Sequence, residues 1–213
     1  MQQKPSFITF EGIEGCGKTT QINLLENFLK AEGLKVVRTK EPGGCPIADD
    51  IRAILLDSKN TAMESRTELL LYAASRAQHV LEVIQPALAA GKIVICDRYA
   101  DSTEAYQGFA RQLDMKLVND LNIIATGGLW PDLTLWLDIP VDTGLSRAIA
   151  RNGESSGPDE GRFEAEAKFF HERCKQGFEA INARTGRFTR VDADATPDVV
   201  SQRIIEIVKE HLK

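Results

Sequence analysis

Apolar and polar positions in this chain follow two periods by turns. Short unbroken apolar runs at 7–10, 36–37, 93–96, 133–137 and 188–191 predict five strands, each buried on both faces. Between them, Ile22, Leu25, Phe28 and Leu29 share one helical stripe, and Leu81, Ile84 and Leu88 share another. Ser65 with Glu68 reads as a capping box opening a long helix that Gly91 closes, and Thr196-Pro197 suits the start of the last helix. Strands alternating with helices predict an α/β fold, with five parallel strands flanked by helices in three layers.

One segment breaks the rhythm. RNGESSGPDEGR, at 151–162, is polar and rich in glycine and serine, too long for a tight turn and too short for a domain linker. It reads as a flap, with a lid spanning about 147–163. No repeat or shift in composition marks a second domain, so residues 1–213 are expected to form one.

Composition narrows the function classes. The 213 residues are 43% hydrophobic and 27% charged, enough to bury a sizeable core. A net charge of −5 argues against a protein that coats nucleic acid or an anionic membrane, while leaving room for a local basic pocket. The four cysteines form no CxxC pair, so neither a disulfide framework nor a zinc site is expected, and a reducing cytoplasm fits. No apolar run reaches the roughly 18 residues of a membrane span, and no targeting segment stands out.

The chemistry is concentrated in FEGIEGCGKTTQ, which follows the first strand and runs into the first helical stripe. Gly12, Gly17, Lys18 and Thr19 match GxxxxGK[ST], the phosphate-cradling loop, in the strand-to-helix setting that this motif requires. Backbone N–H groups from Gly12, Gly15, Cys16, Gly17 and Thr20 can turn toward phosphate oxygens, with the helix dipole and the Lys18 charge behind them. The Thr19 hydroxyl can ligate Mg²⁺ beside a bound ATP. Cys16 reads as a small filler, not as a nucleophile.

A phosphate loop alone does not separate switches, motors and small-molecule kinases. The guanine-reading NKxD and the DxxG of a GTP switch are both absent. CDRY, at 96–99, ends the third strand, which places Asp97 and Arg98 at the crevice beyond the strands: Asp97 suits metal and Arg98 suits phosphate. Arg147 and Arg151 lie a helical turn apart and Arg162 returns after the flap, a set able to descend on a triphosphate as the lid closes. Alternatives at this level are a kinase for another small acceptor, or a nucleotide-dependent switch or binding protein.

Together, FEGIEGCGKTTQ, EPGG, LLLYAASRAQHV, DRYADSTEAYQG, PDLTLWLDI and GRFE resemble the bacterial thymidylate kinase family, from about residue 7 to the last helix. The resemblance implies a P-loop nucleoside monophosphate kinase fold, a homodimer, and Mg²⁺-dependent transfer of the ATP γ-phosphoryl group to dTMP in dTTP biosynthesis. It implies a place for Glu14 near the acceptor sugar and metal region. It implies that Tyr72 stacks on thymine, that Arg76 donates to an exocyclic oxygen, and that Tyr106 and Gln107 complete the base pocket beside Ser102 and Thr103. Arg98 and Arg52 are implied as clamps on the dTMP phosphate, with Glu41 bracing one of them. Some relatives carry a catalytic arginine where this chain has Gly15, which implies that here the catalytic arginines lie in the lid, Arg151 and Arg162 first.

Overall fold

A computed structural model describes residues 4–154, 162–163 and 166–213, with only the backbone given for 151–154. Most of the expected flap, including the side chain of Arg151, therefore lies outside the described residues. In chain order the first half comprises β1 (Ser6–Glu11), α1 (Lys18–Ala31), β2 (Val36–Lys40), α2 (Pro46–Leu56), α3 (Ser65–His79), α4 (Gln85–Ala89) and β3 (Ile93–Asp97). The second half comprises α5 (Ala100–Thr103), α6 (Met115–Thr126), β4 (Leu133–Asp138), α7 (Val141–Glu154), α8 (Lys168–Arg184), β5 (Phe188–Asp192) and α9 (Pro197–His211). The five strands form one parallel sheet in the order β2-β3-β1-β4-β5. The chain leaves β1 toward β2 and β3 on one side and reaches β4 and β5 on the other, which opens the crevice at the C-terminal end of β1.

The two-residue period of the strands splits the core into two layers. Ile8 and Phe10 pack with Ile22 and Leu25 of α1, Phe178 of α8 and Ile204 of α9. Phe7 points the other way, to Val80, Ile84, Val94 and Tyr99. The three central strands are buried as expected, but β2 and β5 are not buried on both faces: as sheet edges they expose Arg38, Lys40, Arg190 and Asp192.

The long helix predicted after Ser65 is present, and it passes through a π-helical turn at Val80–Ile84 before α4. Gly91 closes it, with a left-handed φ of 72° and its N–H donated to the Leu88 carbonyl. The capping box is not made. Glu64 flanks the first turn, no side chain caps it, and Glu68 is turned into the interior. A second π-helical stretch, Glu104–Ala110, follows α5 and carries Tyr106 and Gln107, in keeping with the tendency of π-bulges to occur at functional sites.

Candidate active site

The phosphate loop leaves β1 at Glu11 and enters α1 at Lys18. Gly17, flanking the helix, has φ 93°, and Gly12 and Gly15 also have positive φ, conformations that favour glycine. Gly15 has a further reason to be bare: a Cβ there would lie 1.9 Å from the carbonyl oxygen of Gly144, so the loop touches the first turns of α7 backbone to backbone. Lys18 Nζ donates to the carbonyls of Gly12 at 3.0 Å and Ile13 at 3.1 Å, inside the turn that a phosphate would fill.

The loop opens on a cavity of about 1390 Å³, beyond the roughly 300–1,000 Å³ usual for one small ligand. At one end it is lined by Gly15, Cys16, Gly17, Lys18, Thr19 and Thr20, and Arg147 is also among the lining residues. At the other lie Glu41, Arg52, Tyr72, Arg76, Ser102, Thr103, Tyr106 and Gln107, and Glu14, Asp97 and Arg98 stand between the two. Two expected contacts fall outside it. Gly12 packs under the Leu137 carbonyl, and its own carbonyl accepts from Lys18. Arg162 is buried, with Nε donated to the Leu55 carbonyl at 2.5 Å and Nη1 2.7 Å from Glu68 Oε2, so in this structure it does not lie over the phosphate loop.

Arg98 centres the site. Its φ of 68° is rare for a residue with a side chain, the kind of backbone strain that clusters at functional positions. Its Nη1 donates to Ser102 Oγ at 3.1 Å and its Nη2 to Glu14 Oε1 at 3.0 Å, while the guanidinium lies 4.9 Å from the centre of the Tyr106 ring. Tyr106 O–H donates to the same Glu14 oxygen at 2.7 Å, and burial pushes that phenol well above its usual range, which keeps it a donor. Burial acts to raise the Glu14 carboxyl, but the His171 hydrogen bond and the charges of Arg98 and Lys18 prevail and hold it at about 2.

Beneath Arg98 lies Glu11, fully buried, accepting the N–H groups of Tyr99 at 2.8 Å and Ser102 at 3.3 Å and the Ser102 hydroxyl at 2.5 Å. Burial and the Asp101 charge raise its carboxyl to about 7, against the opposing pull of Arg98 and of these donors.

At the end of the cavity away from the phosphate loop, Glu41 does not brace Arg98 or Arg52. Its Oε2 receives Arg76 Nε at 2.7 Å and its Oε1 receives His79 Nδ1 at 2.9 Å. Arg76 Nη1 continues to Thr103 Oγ1 at 3.0 Å and Asn122 Oδ1 at 2.9 Å. Arg52 Nη1 donates to the Pro42 carbonyl at 2.9 Å. The sequence reading misses Glu11, His79 and His171, and takes Glu68 only for a helix-capping residue. Glu11 carried a signal, a charge ending an otherwise apolar strand run. Glu68, His79 and His171 sit in helices where nothing but the fold distinguishes them from surface residues.

Thr19 Oγ1 lies 3.5 Å from Asp97 Oδ2, where α1 begins and β3 ends. Two hard oxygen donors fit Mg²⁺, which keeps several waters and takes its other ligands from phosphates. Among the described residues no cluster of three or more His, Cys, Asp or Glu forms a cage for a metal, so these oxygens suit an ion that arrives with a nucleotide.

Comparison with known proteins matches this arrangement. Residues 10–204 match the family described as Thymidylate kinase. The curated thymidylate kinase of Trichlorobacter lovleyi is 54% identical over 207 residues, covering 97% of this chain and 98% of that protein. That of Geotalea daltonii is 58% identical over 194 residues, covering 90% and 91%. The crystal structure of thymidylate kinase from Ehrlichia chaffeensis superposes with a TM-score of 0.76 at 31% identity, covering 96% of this chain and 98% of that one. Family match, near-full-length identity and shared fold agree with a phosphate loop opening on one large cavity that Arg98 centres: the chain belongs to the thymidylate kinase family.

Proposed function

We propose that this enzyme transfers the γ-phosphoryl group of ATP directly to a phosphate oxygen of dTMP, giving dTDP for dTTP biosynthesis. The observation that carries this reading is one continuous cavity whose phosphate-loop end and whose Tyr72–Arg76–Gln107 end flank Arg98. Two nucleotides entering from opposite ends bring their phosphates together there, which converts a bimolecular encounter into an oriented one. No covalent enzyme intermediate is needed, because the two phosphates meet face to face.

The residues divide the work by charge. Backbone N–H groups of the loop and Lys18 hold the ATP β- and γ-phosphates, and Arg98 with Arg52 holds the dTMP phosphate. Glu14, kept ionised by its partners, fixes Arg98 and faces the acceptor sugar. Tyr72 covers the thymine ring, Arg76 and Gln107 read its edge, and Tyr106 crowds the ribose 2′ position. Mg²⁺ held by Thr19 and Asp97 would neutralise charge on the ATP phosphates. Arg147, which lines the cavity with its side chain 46% exposed, joins Arg151 and Arg162 as the lid's cations in a single domain, 1–213, whose lid spans about 147–163.

The proposed homodimer is supported by apolar side chains left exposed on α2, α3 and α6: Ile54, Leu70 and Ile124 are 49%, 50% and 73% exposed. The packing of α3 against both other helices supports a shared face. A cytoplasmic location is supported by four cysteines that are all buried free thiols.

The test is ADP release by the purified protein with Mg-ATP and, in parallel, dTMP, dUMP, CMP, AMP and thymidine. Turnover with dTMP, weaker turnover with dUMP and none with the other acceptors are expected. Preference for CMP or AMP would overturn the base-pocket reading, and acceptor-independent hydrolysis would overturn the kinase reading.

A further inference from the structure

A buried carboxylate that the phosphoryl chemistry does not use stands behind the base pocket. Glu68 is 1% exposed, in the first turn of α3, on the helical face that also carries Tyr72 and Arg76 at four-residue steps. Its Oε1 accepts Gln107 Nε2 at 2.8 Å and Arg111 Nε at 3.2 Å; its Oε2 accepts Arg111 Nη2 at 3.2 Å and lies 2.7 Å from Arg162 Nη1.

We propose that Glu68 is a positioning residue that sets which base edge the acceptor site takes, by fixing the orientation of the Gln107 amide. The proposal rests on the reading of Arg76 and Gln107 as the base-contacting pair.

A carboxylate paired with two guanidinium groups has only acceptor oxygens to offer, so the Gln107 amide must present its NH₂ to Glu68. What the amide keeps for the cavity is its oxygen, which has no hydrogen-bond partner among the described residues. Arg76 is held in a complementary way. Nε and Nη1 are taken by Glu41, Thr103 and Asn122, while Nη2 has no partner among the described residues and Arg76 lines the cavity. The pocket therefore offers one donor and one acceptor. That pair matches a ring carbonyl beside a ring N–H, as in thymine or uracil. Cytosine presents an amino group beside a bare ring nitrogen and meets both positions with the wrong polarity, and unpaired buried polar groups are what such a site rejects most strongly. If Gln107 were free to turn over, the acceptor position would become a donor and this selection would weaken.

The experiment compares steady-state kinetics of the full-length enzyme and of Glu68→Gln and Glu68→Asp, with dTMP, dUMP and dCMP as acceptors and dCMP also as an inhibitor. The glutamine variant can partner Gln107 in either orientation. The aspartate variant keeps the charge for Arg111 and Arg162, so it remains folded if the glutamine variant does not, but withdraws the carboxylate by about 1.5 Å, one C–C bond. We expect KM for dTMP to rise about tenfold with kcat within threefold and KM for ATP unchanged, and the preference for dTMP over dCMP to fall about tenfold or more. A fall in kcat at unchanged dTMP KM and unchanged preference overturns the proposal and leaves Glu68 a structural residue. Gln107→Leu separates this from the underlying reading. If that variant keeps the preference, Gln107 does not touch the base and the pocket assignment itself fails; if it loses the preference while both Glu68 variants keep theirs, only the positioning role fails.

Discussion

Glu14 Oε2 accepts a hydrogen bond from His171 Nδ1 at 3.1 Å, across 157 residues of sequence, and so ties the phosphate loop to α8. The other Glu14 oxygen is shared by Arg98 and Tyr106. One carboxylate thus gathers the loop, the strand end that supplies Arg98, the π-helical turn that supplies Tyr106, and α8. His171 is fully buried and its Nε2 has no partner among the described residues, so the whole directional contribution of the ring passes through Nδ1.

That asymmetry predicts which replacement is tolerated. In His171→Asn the side-chain NH₂ takes a position close to that of Nδ1 and can donate to Glu14, so kcat is expected to stay within about threefold. His171→Ala removes the donor and leaves a cavity, a loss of about 2 kcal/mol or more in stability and a fall in kcat of about tenfold. Thermal unfolding and initial rates on both variants check this, and equal activity of the two would remove Glu14 orientation from the explanation.

Glu14 also predicts an acid limb of the stability curve. Its carboxyl sits at about 2 in the folded protein against an ordinary 4.5. A group whose value is lowered by folding contributes stability above the ordinary value and loses it as pH falls toward the folded one. The contribution is about 3 kcal/mol, to be lost between about pH 4.5 and 2. Denaturant unfolding of the native protein and Glu14→Gln at pH 6 and pH 3 should show the difference between the two shrinking at the lower pH.

Glu11 is predicted to act in the opposite sense. Its carboxyl is raised to about 7 from 4.5, so the folded state holds a proton that the unfolded state has released, and stability falls as pH rises through that window. Glu11→Gln keeps an oxygen for the N–H groups of Tyr99 and Ser102 and turns an NH₂ toward the Ser102 hydroxyl, which can accept it. Between pH 5 and 8 the variant should therefore lose less stability than the native protein, measured by denaturant midpoint. A parallel decline in both would show that Glu11 does not titrate in this range.

These carboxylates show what the sequence makes legible and what it does not. The loop, its helix, the alternation of strands and helices and the CDRY corner can be read because each rests on local chemistry: an apolar period, a glycine spacing, a charge at a strand end. Tyr72, Arg76, Tyr106 and Gln107 come only through the family resemblance, since a tyrosine and an arginine at helical spacing have no local mark of function. The partners of Glu41 and the inward turn of Glu68 are not legible in the sequence because both are decided by packing between distant elements. Ser65 and Glu68 fit a capping box in sequence, yet burial beside Arg111 and Arg162 engages the carboxylate with charged donors, which bind it about twice as strongly as a neutral one.

Asp97 and Thr19 predict a metal dependence. If Asp97 Oδ2 and the Thr19 hydroxyl share one ion with the nucleotide, Asp97→Asn keeps the shape and removes the charge. The Mg²⁺ concentration for half-maximal rate is expected to rise about 10–100-fold, the range for loss of a supporting carboxylate, with KM for dTMP little changed. Magnesium titration at saturating ATP and dTMP is the check, and an unchanged midpoint would place the ion elsewhere.

Gly144 sets helix propensity against packing. It lies in the first turn of α7, where alanine is favoured over glycine by about 1 kcal/mol in an open helix. Here a Cβ would lie 2.6 Å from the Glu14 carbonyl oxygen and 3.2 Å from Ile13 Cδ1. The nearest obstacle is backbone, part of a loop already pinned by Lys18 and by the Glu14 side chain, so it cannot turn aside as a flexible side chain would. Overpacking of this kind costs about 1–3 kcal/mol, enough to cancel the propensity gain, and relief requires α7 to lift off the phosphate loop. Gly144→Ala is therefore expected to lower Tm and raise KM for ATP severalfold while KM for dTMP moves less, because the displaced backbone belongs to the ATP end of the cavity. A raised Tm would mean that α7 carries the extra methyl without moving, and that the contact between Gly15 and Gly144 does not constrain the loop.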